Sequence, residues 1–343
     1  MRGGDRRRSA LPHIAAIDEK RVGAAEAMSS AISSEDSIEV PARPRRWHIL
    51  VFLLPAVIVY SAVMILPLIE TLRLSLFNTV DGQSTFVGLS NFQVLFGDER
   101  WAADFWRALK NNFIFFAIHM LVQNPLGIAL AAMLSIPKLR LATFYRTAIF
   151  MPTILSFVIV GFIWKLILSP IWGITPFFMD LVGLKSLFGP WLGKPGSALI
   201  TVSLISVWQN VGIPMMLIYA ALLNIPDEVI EAAECDGITG WSQFWKIKLP
   251  LVLPAIGMVS ILTFVGNFNA FDLIYTVQGA LAGPDGATDI LGTLLYRTFF
   301  GFQLQLGDRS MGATIATVMF LIILAGVSLY LFGIQRRVRR YQF

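Results

Sequence analysis

Residues 224–250 read NIPDEVIEAAECDGITGWSQFWKIKLP. This is the longest polar interruption in the second half of an otherwise apolar chain. Its composition predicts a short helix, a glycine turn and a second short helix. Pro226 suits a first helical turn, and Asp227 and Glu228 follow where acidic groups oppose the helix dipole favourably. Val229, Ile230 and Ala233 give the first helix an apolar side at helical spacing. Gly237 falls where a helix end takes a left-handed residue. Thr239 is the N-cap expected for the second helix, which carries Trp241, Phe244 and Trp245 at i, i+3 and i+4.

The flanking runs decide what this hairpin joins. Of 343 residues, 56% are hydrophobic and 14% charged, against about 25% charged in a soluble domain. The chain is therefore read as a membrane protein. Its net charge of +5 forms no groove-like cluster of the kind nucleic acid requires; the basic residues punctuate the apolar runs. The sole cysteine, Cys235, excludes an intrachain disulfide. His13, His48 and His119 are scattered without metal-ligand spacing, and the apolar runs hold no paired carboxylates or Ser/His/Asp set. An enzyme is not expected.

Residues 1–46 are polar, with Arg6-Arg7-Arg8, serine pairs and an acidic patch at Glu35-Asp36. They lack the apolar surface to pack and are predicted to form a disordered cytoplasmic tail. No apolar stretch follows the early arginines directly, so they do not read as a signal peptide. Six runs then approach or exceed the roughly 20 residues a bilayer requires: 49–69, 111–136, 147–168, 197–223, 249–278 and 311–334. The membrane-spanning body is placed at 47–335, with 224–250 as its principal polar loop and 336–343 as a basic cytoplasmic end.

Lys and Arg set the expected orientation. With the N-terminus inside, the cytoplasmic segments carry 18 basic residues, including Lys138, Arg140, Lys246, Lys248 and the Arg336–Arg340 cluster, and the outer segments carry 8. That bias predicts both termini inside and the 224–250 loop in the cytoplasm. The long outer segments 78–105, 169–196 and 279–309 are expected to cap the bundle or to receive an external protein.

Glu231-Ala232-Ala233, then Gly237, then Ile247 and Leu249-Pro250 match at every position the EAA loop of ABC importer permeases. From about Trp47 to Gln335 the chain resembles the membrane subunits of binding-protein-dependent ABC sugar importers, in their MalF-like branch. Further marks in order are FVGLSNFQVLF at 86–96, Arg146 with Met151-Pro152, Gly161-Phe162-Ile163-Trp164, Val207-Trp208-Gln209 and the FNAFDLIY run at 268–275. The resemblance implies an all-α type I importer permease of six transmembrane helices in the bacterial inner membrane. It implies a second, distinct permease, two cytoplasmic ATPase subunits and an extracytoplasmic solute-binding protein as partners. The chain has no G-x-x-x-x-G-K-[ST] loop, so ATP would be bound by the partner ATPase and no cofactor is expected here. Glu231, Ala232, Ala233, Asp236, Gly237, Leu249 and Pro250 would then be coupling residues docking into the ATPase.

Polar side chains inside spans face a cavity or a neighbouring helix. Thr263 and Asn267 share one face at i, i+4, as do Ser206 and Asn210, and their hydroxyls and amides suit sugar hydroxyls. The resemblance places Thr153, Ser206, Asn210, Thr263 and Asn267 at sugar-contacting positions; residue chemistry alone leaves interhelical hydrogen bonding as the other role. Trp208 or Tyr275 would offer a stacking face. Asp272 reads as a structural carboxylate near a span end, with a proton relay as the alternative. Other readings kept open are the same fold carrying a polyamine, phosphate or glycerol phosphate, and a secondary transporter.

Overall fold

The computed structural model describes residues 47–80, 83–136, 139–303 and 306–334. The tail 1–46, Lys138 and the basic end 336–343 lie outside the described residues. The chain divides into two units at Met64/Ile65. The first contributes the helix Trp47–Tyr60, whose side chains from Val51 on are almost all exposed and apolar, as a lipid-facing helix requires.

The second unit is helical, with one exception. Phe77–Val80 and Gln83–Phe86 pair antiparallel, Phe77 opposite Phe86, where the sequence reading expected only interfacial helix and turn. The hairpin's signal in the sequence is Asp81-Gly82 between the two strands.

Four helices are long and apolar enough to cross a membrane: Val51–Ser75, Glu99–Leu134, Gly240–Phe268 and Arg309–Gly333. Two bent pairs, Ala142–Ile154 with Phe157–Ile167 and Pro195–Asn210 with Gly212–Leu223, bring the total to six if each pair is one span. They are numbered here one to six in chain order.

Span one runs on to Ser75, past the expected 69, and span four bends by 41° at Val211; spans two, three and five depart further. Span two starts at Glu99, not near 111, because the preceding turns carry an apolar stripe, Trp101, Phe105 and Ala108, packed in a core cluster. The Asp98 carboxylate starts it, accepting from the backbone N–H groups of Arg100 and Trp101 at 3.1 Å. Its 36 residues reach about 54 Å, well beyond a hydrocarbon layer of about 30 Å.

Span three is broken by 98° after Ile154. Leu155 and Ser156 are extended, three residues after Pro152, and Ser156 caps the next helix through Val158 N–H at 3.3 Å. Span four answers the break. Gln209, 1% exposed, donates from Nε2 to the freed carbonyl of Leu155 at 3.0 Å, and Thr153 donates to the Gln209 carbonyl at 2.9 Å. Gly212 permits this contact: a Cβ there would lie 2.9 Å from Phe150 Cα.

Span five ends at Phe268, not 278. The Asn267 and Asn269 amides donate to the carbonyls of Thr263 and Val265 at 2.7 and 3.0 Å, closing the last turn. The chain restarts as the helix Asp272–Gln278.

Packing falls into three clusters. One joins Phe115, Val160, Val202 and Ile274. A second joins Phe105, Phe268, Leu291 and Ile315. The third joins Ala131, Met215, Ile218 and Val259. Span two contributes to all three.

Candidate functional site: a polar cavity and an exposed helical loop

Spans two, four and five, with Phe157 of span three and the start of the helix Asp272–Gln278, line an open cavity of about 390 Å³. Each presents one helical face to it. Span five presents Val259, Thr263 and Asn267; span four presents Ser206, Asn210 and Pro214; span two presents Phe115, His119 and Gln123. The recurring spacing of four is what places these groups one above another. Of the five residues proposed for the path from sequence, Ser206, Asn210, Thr263 and Asn267 therefore meet in one cavity. Thr153 does not line it; its hydroxyl is held at the span-three break.

The polar lining is cross-linked. The Ser206 hydroxyl lies 3.0 Å from His119 Nε2, and His119 Nδ1 lies 2.8 Å from the Phe115 carbonyl. A carbonyl only accepts, so Nδ1 carries a proton, and in the neutral ring Nε2 accepts from Ser206. Thr263 donates to Val259 O at 2.9 Å and faces Asn124 Oδ1 at 3.2 Å. Asn210 Nδ2 donates to Ser206 O at 2.9 Å. Three amide oxygens, Gln123 Oε1, Gln209 Oε1 and Asn267 Oδ1, are buried with no hydrogen-bond partner among the described residues. Asp272 opens the first turn of its helix and lines the cavity together with Phe271. Trp208 turns away and packs edge-on against Trp164 at 5.4 Å, and Tyr275 joins a cluster with Phe271 and Tyr296. The aromatic wall of the cavity is Phe115, Phe157 and Phe271 instead.

His119 was passed over in the sequence reading as an isolated histidine. Its signal was the 115–119–123 register, which sets it with Gln123 on the face of an aromatic residue within an apolar run.

The 224–250 segment forms as expected in its first half. The helix Asp227–Cys235 ends in a Schellman turn: Ile238 N–H bonds Ala233 O at 2.8 Å and Gly237 N–H bonds Glu234 O at 3.0 Å, with Gly237 at φ +76°. Glu231, Ala232, Asp236 and Gly237 are exposed and Ala233 is buried. Thr239 sits at the N-cap position of the next helix, but its side chain makes no capping bond.

The second half differs from expectation. Gly240–Gln243 continues through a π turn, Phe244–Lys248, into Leu249–Phe268. No second short helix ends before the span; the loop and span five are one helix of 29 residues. Pro250 explains the π turn: it lacks the N–H that an α-helix needs there, and widening the turn relieves its ring. Leu249 and Pro250 are half-buried within this continuous helix. Trp241 and Trp245 remain 72% and 51% exposed and pack against Phe244.

A second polar knot lies beyond the end of span five. Asp289, fully buried, takes a fork from Arg297 at 2.7 and 3.3 Å and a hydroxyl from Thr293 at 2.7 Å. Asn111 of span two donates to Asp289 O at 2.8 Å. Asn112 donates to Asn267 O and accepts from Leu291 N–H, both at 2.9 Å. The carbonyl of a cavity residue is thereby tied to this knot.

Apolar helices that number six if each bent pair is one span, a polar cavity, and an exposed helical loop continuous with one cavity wall are the features of a multi-pass membrane transport component. Residues 123–340 match the family described as binding-protein-dependent transport system inner membrane component, and the chain belongs to it. It is 32% identical over 277 residues, 80% of this chain and 91% of the relative, to the probable ABC transporter permease protein YurN of Bacillus subtilis. It is 30% identical to the lactose transport system permease protein LacF of Rhizobium radiobacter, covering 79% of this chain and 89% of that one. In fold it is similar to a chain of a bacterial ABC transporter involved in the import of the acidic polysaccharide alginate, with TM-score 0.71 over 86% of this chain and 96% of that one at 23% identity. The chain is thus an inner-membrane permease subunit of an ABC importer, with the helical fold of type I importer permeases.

Proposed function

We propose that this permease carries a sugar through the cavity of spans two, four and five, and that Glu231, Ala232, Ala233, Asp236, Gly237, Leu249 and Pro250 dock and transmit the movement of a cytoplasmic ATPase. The observation that carries the coupling half is the unbroken helix Gly240–Phe268. Thr263 lies 23 residues from its start, about 35 Å along the axis. A rigid helix moved at its loop end moves Thr263 and Asn267 with it. The short helix Asp227–Cys235, exposed on the side of Glu231 and Ala232, is the surface that would receive the push.

The sugar half is supported by the cavity's amides, hydroxyls and aromatic wall and by relatives whose names specify lactose and trehalose/maltose. The absence of lysine and arginine from the lining among the described residues argues against phosphate and glycerol phosphate. The full assembly is this chain with a second, distinct permease, two ATPase subunits and an extracytoplasmic binding protein, with both of this chain's termini in the cytoplasm.

The coupling test is Gly237→Asp in the assembled importer. Aspartate at φ +76° strains the turn that ends the docking helix. The expected outcome is normal membrane assembly, with ATP hydrolysis no longer stimulated by binding protein and uptake reduced at least tenfold. Gly237→Asn, which tolerates the left-handed region better, is expected to retain a substantial part of both. Unchanged coupling in Gly237→Asp would refute the docking role.

A further inference from the structure

We infer that residues 169–187 form a foot resting in the membrane surface: the apolar face of the helix Thr175–Leu181, with Ile171 and Trp172 ahead of it, lies among lipid headgroups and upper acyl chains and anchors the end of span three. This holds whichever solute the cavity takes.

The segment is closed by its own hydrogen bonds and tied to the span. Span three ends at Ile167. The Ser169 hydroxyl accepts from the N–H groups of Ile171 and Trp172 at 3.3 and 3.2 Å, and Gly173 N–H bonds Ser169 O at 2.9 Å. A Cβ on Gly173 would collide with the carbonyls of Ser169 and Ile167, so the turn needs a glycine. The Thr175 hydroxyl then donates to Ile167 O at 2.6 Å. The helix Thr175–Leu181 therefore starts beside the last turn of the span, at the height where the span leaves the hydrocarbon. It stops in a Schellman turn, with Leu184 N–H on Met179 O at 2.8 Å, Gly183 N–H on Asp180 O at 3.1 Å and Gly183 at φ +73°.

A unit closed in this way would turn its apolar side inward in a water-soluble loop. Here it is turned out. Thr175, Pro176 and Met179 are the half-buried positions, while Ile171, Trp172, Phe177, Phe178, Leu181 and Val182 are 52–83% exposed. The last four stand at i, i+1, i+4 and i+5, which is one helical face. Asp180 and Lys185 pair at 3.2 Å and are themselves exposed, giving the segment a polar edge. An exposed apolar patch of this size outside a span marks an interaction surface. An apolar face with aromatic residues and a charged edge is the composition of a helix lying in a bilayer interface.

Two observations favour lipid over protein. The patch follows within a few residues on the exposed face of the helix Phe157–Ile167, where Val158, Phe162 and Leu166 are apolar and open. Those three lie about 100–180° round that helix from Phe157, which lines the cavity. The face is thus turned away from the opening that a second permease would close. A soluble binding protein fits less well for another reason. It docks and leaves, and each departure would return large apolar side chains to water at a cost, whereas the bilayer stays.

The test places the photoreactive residue p-benzoylphenylalanine at Phe178 and, separately, at Leu181, in the complete importer in its native membrane. After irradiation the permease is purified and its intact mass is read. The expected result is a phospholipid-sized adduct at both positions, at least fivefold weaker when the probe stands at Asp180. A crosslink to the partner permease or to the binding protein at either position, no adduct at either, or an equally strong lipid adduct at Asp180 would each overturn the inference. The anchoring role has its own readout. In lipid nanodiscs, Phe178→Asp should lower the melting temperature of the complex, and Ser186→Asp, exposed beyond the glycine turn, should not. Equal melting of both variants and the wild type would remove the anchor.

Discussion

Asn267 shows how one residue serves two networks. Its amide nitrogen closes the last turn of span five, and its carbonyl takes a hydrogen bond from Asn112, while its amide oxygen is buried with no partner among the described residues. Asn267→Ala removes the side-chain functions and keeps the carbonyl. We expect uptake to fall at least tenfold with assembly intact; wild-type uptake kinetics in proteoliposomes would remove Asn267 from the path. Asp289 is the contrasting case. It touches no cavity group, yet Asp289→Asn leaves the Arg297 guanidinium, 11% exposed, without its counter-charge. Breaking such a pair costs about 3–5 kcal/mol, which should appear as a clear drop in melting temperature in detergent. Ser206, Asn210, Thr263 and Asn267 were legible as cavity-lining candidates because two polar groups four apart in an apolar run have few destinations. Asp289 and Arg297 were not legible as a pair: both sit in a segment whose composition says only that it lies outside a span, and their meeting depends on how 279–290 folds back.

At the scale of elements, the sequence foretold the helix Asp227–Cys235 and its glycine stop because both are set by neighbours within a few residues. The continuity of Gly240 with Phe268 was hidden by Pro250, which reads as a boundary until a π turn is seen to absorb it. The break in span three was hidden in the opposite way. Residues 147–168 are apolar enough to suggest one helix, and what stabilises the bend is Gln209, more than fifty positions away. Gln209→Met fills similar volume but leaves the Leu155 carbonyl without its donor. A cost of about 1–3 kcal/mol is expected, measured as a lower melting temperature. Because the Thr153 hydroxyl binds the same residue's backbone, Thr153→Val should be destabilising in the same direction, and in combination with Gln209→Met should cost less than the sum of the two.

At the scale of the whole molecule, six apolar runs were countable from composition, and the structure adds that spans two to five share a cavity, span three through Phe157 alone. Span two links the parts: its upper turns join the Asp289 knot through Asn111 and Asn112, its middle supplies His119 and Gln123, and its far end packs on Met215 and Ile218. The sidedness of the molecule follows so far from basic residues alone. If the loop 224–250 is cytoplasmic, it should be protected from trypsin in spheroplasts and cut near Lys246 in inverted vesicles; cleavage in intact spheroplasts would reverse the orientation.

Cys235 closes the helix Asp227–Cys235, is exposed, and is the only cysteine in the chain. The unaltered protein therefore carries a unique chemical handle beside Gly237. A fluorophore or nitroxide attached there would report, without any engineered thiol, whether that corner of the molecule becomes shielded when nucleotide is added. The same label would time the event against solute flux, turning a feature of composition into a clock for the transport cycle.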